Sequence, residues 1–152
     1  MSAVDLCYLD RHYGFFIGEQ CRYFIKKYKL DVDYIASHGH TVFHQPGQGF
    51  TLQIGHGACI AATSGCHVVN DFRSMDIALN GQGAPLVPIG DLLLFEQFTY
   101  CLNLGGFANI SYQENNKRIA YDICPVNIVL NELVVERGIA FDMNGDIGRK
   151  GT

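Results

Sequence analysis

The chain of 152 residues is 48% hydrophobic and 17% charged, with a formal net charge of −4 at pH 7. That balance describes a globular domain with a real core and excludes a disordered chain. It offers no clustered basic face for nucleic acid, because Lys26, Lys27 and Lys29 read as the solvated end of a helix, and no apolar run reaches the roughly 18 residues of a membrane span.

Residues 5–29 repeat apolar side chains at helical spacing through Tyr13, Phe16, Ile17, Cys21, Phe24, Ile25 and Tyr28. This predicts one long amphipathic helix, weakened locally by Gly14 and Gly18. Residues 34–36 read as a short buried strand, and residues 37–41 as a polar loop at its end. A turn is expected at 46–49, a strand at 50–54, a short helix at 58–63 ended by Gly65, and a strand at 67–70. Residues 71–88 contain Gly81, Gly83, Pro85 and Pro88, so they cannot form one continuous helix. A helical turn follows at 91–95. Strands are expected at 100–104, 109–112 and 118–122, the last two joined by a turn through Glu114, Asn115 and Asn116. Residues 127–137 form a helix closed by Gly138. This order predicts an α/β domain with a mixed sheet and flanking helices.

The six cysteines form no Cys-x-x-Cys pair and are expected as free thiols of a reducing compartment. The start of the chain carries Asp5 and no basic-then-apolar leader, so the expected location is the cytoplasm.

Four constellations carry chemistry. Asp71 follows the strand at 67–70, where α/β proteins place ligands. It reads either as a general base or as a helix cap, with Asp76 as a nearby carboxylate. Gly81-Gln82-Gly83-Ala84-Pro85 lets backbone approach a ligand, or is a plain tight loop. The Gly105-Gly106 turn between two strand-like runs exposes N–H groups to a phosphate, or simply closes a hairpin. His38 and His40 would share a face if they lay on one strand, and His44 would add a third metal ligand, with His56 further on. Polar loop histidines that meet substrate or solvent account for the same residues.

Together these segments resemble the anhydro-N-acetylmuramic acid kinases. Ser37-His38-Gly39-His40-Thr41 with Phe43-His44-Gln45-Pro46 is similar to the family's S-H-G-Q-T-x-x-H-x-P segment. Thr51-Leu52-Gln53-Ile54-Gly55 matches T-L-Q-I-G. Asp71-Phe72-Arg73, Asp76 and Gly81 to Pro88 match D-F-R-x-x-D-x-A-x-G-G-Q-G-A-P-L-V-P. Asn103 to Ile110 resembles N-I-G-G-I-A-N-I. The resemblance runs from about residue 34 onward with order and spacing kept.

It implies an actin-like, ribonuclease H-like ATPase fold of two lobes, with residues 1–95 as the sugar-binding and catalytic part and residues 96–152 as the start of the second lobe. It implies ATP and Mg²⁺, a small amino-sugar substrate, no nucleic-acid or membrane partner, and a homodimer as an option. Asp71 would be the base, with Asp76 as the competing carboxylate. His38, Gly39, Arg73, Gln82, Gly83, Ala84 and Pro85 would contact the sugar. Asn103, Gly105, Gly106, Asn109 and Asp122 would contact the nucleotide.

The sequence also departs from the family. The G-T-M-S-G-T-S-L-D-G phosphate loop has no counterpart here, so the chain alone is expected to be inactive. Cys124 and Val126 replace two glycines of the family's D-x-G-P-G-N segment, His40 replaces a common glutamine, and His56 an aspartate or asparagine. Two other readings stand beside the kinase: a sugar-binding module without turnover, and a small metal-binding protein that uses the histidines.

Overall fold

A computed structural model describes residues 1–151. Helix α1 (Ala3–Tyr28) starts at a capping box: Ser2 Oγ accepts the Asp5 N–H at 3.1 Å, and the Asp5 carboxylate accepts the Ser2 N–H at 2.7 Å. It ends at Lys29, whose φ of 52° turns the chain away.

Gly14 and Gly18 are the buried residues of α1. They do not act as weak points; they form its contact line with α2 (Gly57–Ser64). A Cβ on Gly14 would stand 2.7 Å from the His56 carbonyl oxygen, and one on Gly18 would stand 2.9 Å from the Ile60 carbonyl oxygen. Absent side chains allow backbone-to-backbone approach, and tertiary packing outweighs helix propensity at both positions.

The strands of the first part are β1 (Tyr34–Ser37), β2 (His40–Gln45), β3 (Phe50–Ile54) and β4 (His67–Asn70). β1 and β4 pair in parallel, with Ser37 opposite Asn70 at their carboxyl ends. β2 and β3 form an antiparallel hairpin around a 3-10 turn at Pro46–Gln48, with a bulge between Thr41 and Phe43. His40 and Thr41, expected in a loop, are therefore strand residues. α3 (Ser74–Ala78) follows β4.

α4 (Leu86–Leu94) is longer than the helical turn expected at 91–95. Pro88 falls in its first turn, where a missing N–H costs nothing. β5 (Tyr100–Leu104), β6 (Phe107–Glu114) and β7 (Lys117–Pro125) then make an antiparallel sheet, and α5 (Asn127–Val135) follows. Asn115 and Asn116 both have positive φ, 49° and 60°, as a two-residue primed hairpin turn requires. Gly138, at φ 75°, closes the last turn after α5 by donating its N–H to the Val135 carbonyl at 2.8 Å.

The architecture is mixed α/β, but among the described residues the strands lie in three separate sheets and not in one mixed sheet. Local hairpins satisfy β2–β3 and β5–β6–β7, and only β1–β4 pair across an intervening helix. The chain divides into two compact units, Met1–Pro85 and Leu86–Thr152. α4 thus groups with the three-stranded sheet. Its Asp91 accepts from the Ser111 hydroxyl of β6, and Arg118 of β7 donates to Ser111 Oγ at 2.8 Å.

The first unit's core is Ile54, Cys59, Ile60 and Ile77, with Ile60 fully buried. In the second unit Ala108 and Val134 are buried, along with Ser111. Among the described residues no helix is long and apolar enough to cross a membrane.

Candidate functional site

The first unit contains a cleft of about 390 Å³ at the carboxyl ends of β1 and β4. Parallel strands end there with their next residues free to leave the sheet, which is where open α/β folds bind ligands. His38 follows β1 and Asp71 follows β4, and both line the cleft with Gly39.

Asp71 adopts φ 57°, a left-handed conformation that aspartate tolerates better than most residues. Its Oδ1 accepts the Ser74 N–H at 3.2 Å, so the cap-like contact expected of Asp71 is present at α3. That contact occupies one carboxylate oxygen, which leaves the group able to serve both as cap and as base.

Arg73 Nε donates to His38 Nε2 at 2.9 Å. The guanidinium has only donors, so Nε2 must accept. The proton then sits on Nδ1, 3.1 Å from the Gly39 carbonyl, and the ring is neutral. His38 is held by two contacts, and Gly39, at φ 71°, turns the chain straight into β2. A Cβ at Gly39 would collide with the Ile54 carbonyl oxygen.

Because Gly39 turns between them, His38 and His40 do not alternate along a single strand. His44 instead lies 3.3 Å from the Thr51 hydroxyl across the β2–β3 hairpin, and His56 heads α2. Among the described residues no group of three His, Cys, Asp or Glu side chains gathers to hold a metal ion. The three-histidine set of the metal-binding reading is thus not gathered among the described residues.

Asp76 does a different job from Asp71. Its Oδ2 accepts the Gly83 N–H at 2.6 Å and its main-chain carbonyl accepts the Gly81 N–H at 2.7 Å. Gly81 lies directly over the carboxylate, and Gly83, at φ 69°, packs on Ile77 and near His44. The Gly81–Pro85 loop is thus clasped by Asp76. Gln82, Ala84 and Pro85 are not among the residues that line the cleft.

Several cleft residues, Asp10, Gly57, Ala58 and Ser74, carry no signal of a site in the sequence motifs, and Asp10 is the charged one among them. Asp10 of α1 lines the cleft and accepts the Gly55 N–H through Oδ1 at 2.8 Å. The only signal for it is the spacing of Asp10, Gly14 and Gly18, which places them on one helix face.

In the second unit Asn103 lies opposite Asn109, and Asn109 opposite Asp122. Opposed residues share a face of a sheet, so these three form one cross-strand row. The Gly105-Gly106 turn is committed elsewhere. The Gly105 N–H donates to the Phe107 carbonyl at 3.1 Å. The Gly105 carbonyl accepts from Asn127 and the Gly106 carbonyl from Val126, at 3.2 and 2.8 Å. A Cβ on Gly106 would press on the Ile128 side chain at 3.2 Å, which would have to give by a few tenths of an ångström.

The turn therefore caps the start of α5 with carbonyls. Cys124 and Val126 occupy backbone without positive φ, Val126 at −129°, so neither position calls for a glycine's conformational freedom.

A neutral histidine and a carboxylate at the ends of paired parallel strands, over a polar cleft, define an α/β domain suited to a small polar ligand. The family model for anhydro-N-acetylmuramic acid kinase matches residues 4–152, and the chain belongs to that family. The anhydro-N-acetylmuramic acid kinase of Pseudomonas fluorescens strain Pf0-1 is 45% identical over 122 residues, covering 77% of this chain and 34% of the relative. The Methylobacterium nodulans enzyme of the same name is 43% identical over 128 residues, covering 80% and 34%. That of Aliivibrio fischeri is 38% identical over 153 residues, covering 94% and 42%. The chain spans about a third to two-fifths of the length of these relatives.

Proposed function

We propose that the chain is the sugar-binding and base-carrying part of an anhydro-N-acetylmuramic acid kinase of peptidoglycan recycling, built on an actin-like, ribonuclease H-like ATPase fold. Family membership supports the activity. Three antiparallel strands followed at once by α5 support the fold, as the start of a ribonuclease H-like lobe. The observation that carries the catalytic reading is Asp71: a carboxylate at φ 57° after a parallel strand, lining the cleft beside His38. Backbone held in a sparsely populated region at a strand end is typical of functional positions.

The substrate in this reading is 1,6-anhydro-N-acetylmuramic acid, with ATP as co-substrate. An anhydro sugar has no free 6-hydroxyl to deprotonate. Asp71 takes a proton from water, and the water oxygen bonds to C1. The C1–O6 bond breaks, and O6 takes the γ-phosphoryl group as ADP leaves. The remaining water hydrogen stays on the new C1 hydroxyl. Positioning and charge stabilisation supply most of phosphoryl transfer, so a single well-placed base is the main covalent-step contribution asked of this part.

Asp76 serves as the clasp of the Gly81–Pro85 loop, because its carboxylate is already occupied by the Gly83 N–H. His38, held in place by Arg73, presents a fixed polar group to the sugar, and Arg73 itself stands behind it outside the cleft lining. Asn103, Asn109 and Asp122 offer amide donors and a carboxylate for the nucleotide. Mg²⁺ would arrive with the ATP substrate and would neutralise charge on its phosphates.

A second reading, a sugar-binding module without turnover, is favoured by the Gly105-Gly106 turn, whose Gly105 N–H is already engaged and so not offered to a phosphate. ADP release with ATP, Mg²⁺ and the anhydro sugar, beside Asp71→Asn, tests both. Turnover abolished by the substitution supports the kinase. Saturable sugar binding without turnover supports the module. Turnover that survives Asp71→Asn overturns the base assignment, and the absence of both turnover and binding overturns the amino-sugar reading.

A further inference from the structure

Asp10, Gly14 and Gly18 share one face of α1, and all three meet the β3–α2 turn or the helix it opens. Asp10 Oδ1 accepts the Gly55 N–H at 2.8 Å, and the Asp10 main-chain carbonyl accepts the His56 N–H at 3.2 Å. One turn later Gly14 admits the His56 carbonyl oxygen, which a Cβ would meet at 2.7 Å. Gly55 itself lies at φ 117°, where side chains are not tolerated, and a Cβ there would also press on Ile17 at 3.2 Å. Two successive N–H groups of the turn, the first of them 45 positions along the chain from Asp10, therefore end on that one residue. Asp10, Gly55, His56 and Gly57 all line the cleft.

We propose that Asp10 is a positioning residue whose carboxylate fixes the β3–α2 turn as one wall of the amino-sugar cleft. The inference about the sugar rests on the functional reading above, whereas the hold on the turn does not. A carboxylate that accepts a main-chain N–H makes a charge-assisted bond, stronger than a neutral one. The bond restrains a glycine, the residue that otherwise gains most conformational freedom on release. Once freed, the turn must be ordered again each time a ligand binds, so affinity falls without the loss of a direct ligand contact. Asparagine keeps the accepting oxygen and drops the charge, whereas alanine drops both.

The test compares the full chain with Asp10→Asn and Asp10→Ala by amide hydrogen exchange and by titration with 1,6-anhydro-N-acetylmuramic acid. Exchange at Gly55 is expected to quicken on the order of tenfold in Asp10→Ala, and the sugar dissociation constant to rise by a similar factor, the scale of one lost hydrogen bond. Asp10→Asn is expected to stay within about threefold of the parent in both readings, on the same scale. Unchanged exchange at Gly55 in Asp10→Ala overturns the proposal. Equal loss of sugar binding in both variants, with the turn still protected in Asp10→Asn, also overturns it, because the carboxylate would then touch the sugar itself. If the parent chain fails to bind the sugar, the amino-sugar reading falls, and the exchange measurements still decide whether Asp10 holds the turn.

Discussion

Arg73 Nε donates to His38 Nε2 at 2.9 Å, which joins the residue after β1 to the segment after β4 and fixes the tautomer of the imidazole. The structure predicts the Nδ1–H form of His38, with Nε2 as acceptor. Nitrogen chemical shifts of the ring read this directly. Arg73→Ala should release the ring to a mixture of tautomers and lower stability by about 1 kcal/mol, the scale of one part-buried hydrogen bond. An Nε2–H ring in the parent protein contradicts the pairing.

Asp71→Asn should leave stability within about 0.5 kcal/mol, because asparagine also tolerates the left-handed backbone and also accepts the Ser74 N–H. Asp76→Ala should cost about 1–3 kcal/mol, since it strips the charge-assisted acceptor from the Gly83 N–H. Urea midpoints of the two variants distinguish the base from the clasp. Equal destabilisation would mean that the two carboxylates do not divide these roles.

Gly18→Ala should destabilise in spite of alanine's better helix propensity. The propensity gain is about 1 kcal/mol. The added Cβ would stand 2.9 Å from the Ile60 carbonyl and 2.7 Å from Thr63 Cβ, and overpacking against backbone costs about 1–3 kcal/mol. Chemical denaturation gives the sign, and a stabilised variant would refute close α1–α2 contact.

This contrast shows where the sequence was legible. Elements with local chemical signatures could be read: Asn115-Asn116 as a hairpin turn, Gly65 as a helix end, Gly138 as the close of the turn after α5, which itself stops at Val135, and Asp71 at a strand end. Gly14 and Gly18 could not, because helix propensity counts them as losses and only the position of α2 makes them contacts. Asp10 was hidden because its partner lies 45 residues away. The start of α4 was hidden because Pro88 reads as a breaker until its place in the first turn is known. Separation into three sheets depends on which edges pair, which strand patterns do not specify.

The segment after α5 should respond to acid. Asp142 accepts the Ile147 and Gly148 N–H groups, each at 2.9 Å, and these bonds, that of Ile147 foremost, hold its carboxyl below the usual carboxylate range. The folded segment therefore binds the proton less readily than the unfolded one. Its contribution is present above the ordinary carboxylate range and is lost as pH falls through the lowered value. Amide exchange at Ile147 and Gly148 should quicken over that window in the parent, and Asp142→Ala should remove the pH step.

The most direct test of the central claim, that the cleft at the ends of β1 and β4 is the sugar site, is to map backbone amide shifts on titration with 1,6-anhydro-N-acetylmuramic acid. The account predicts saturable shifts clustered at residues 37–39, 53–58 and 70–74. Shifts confined to the second unit, or none at saturating sugar, would contradict it.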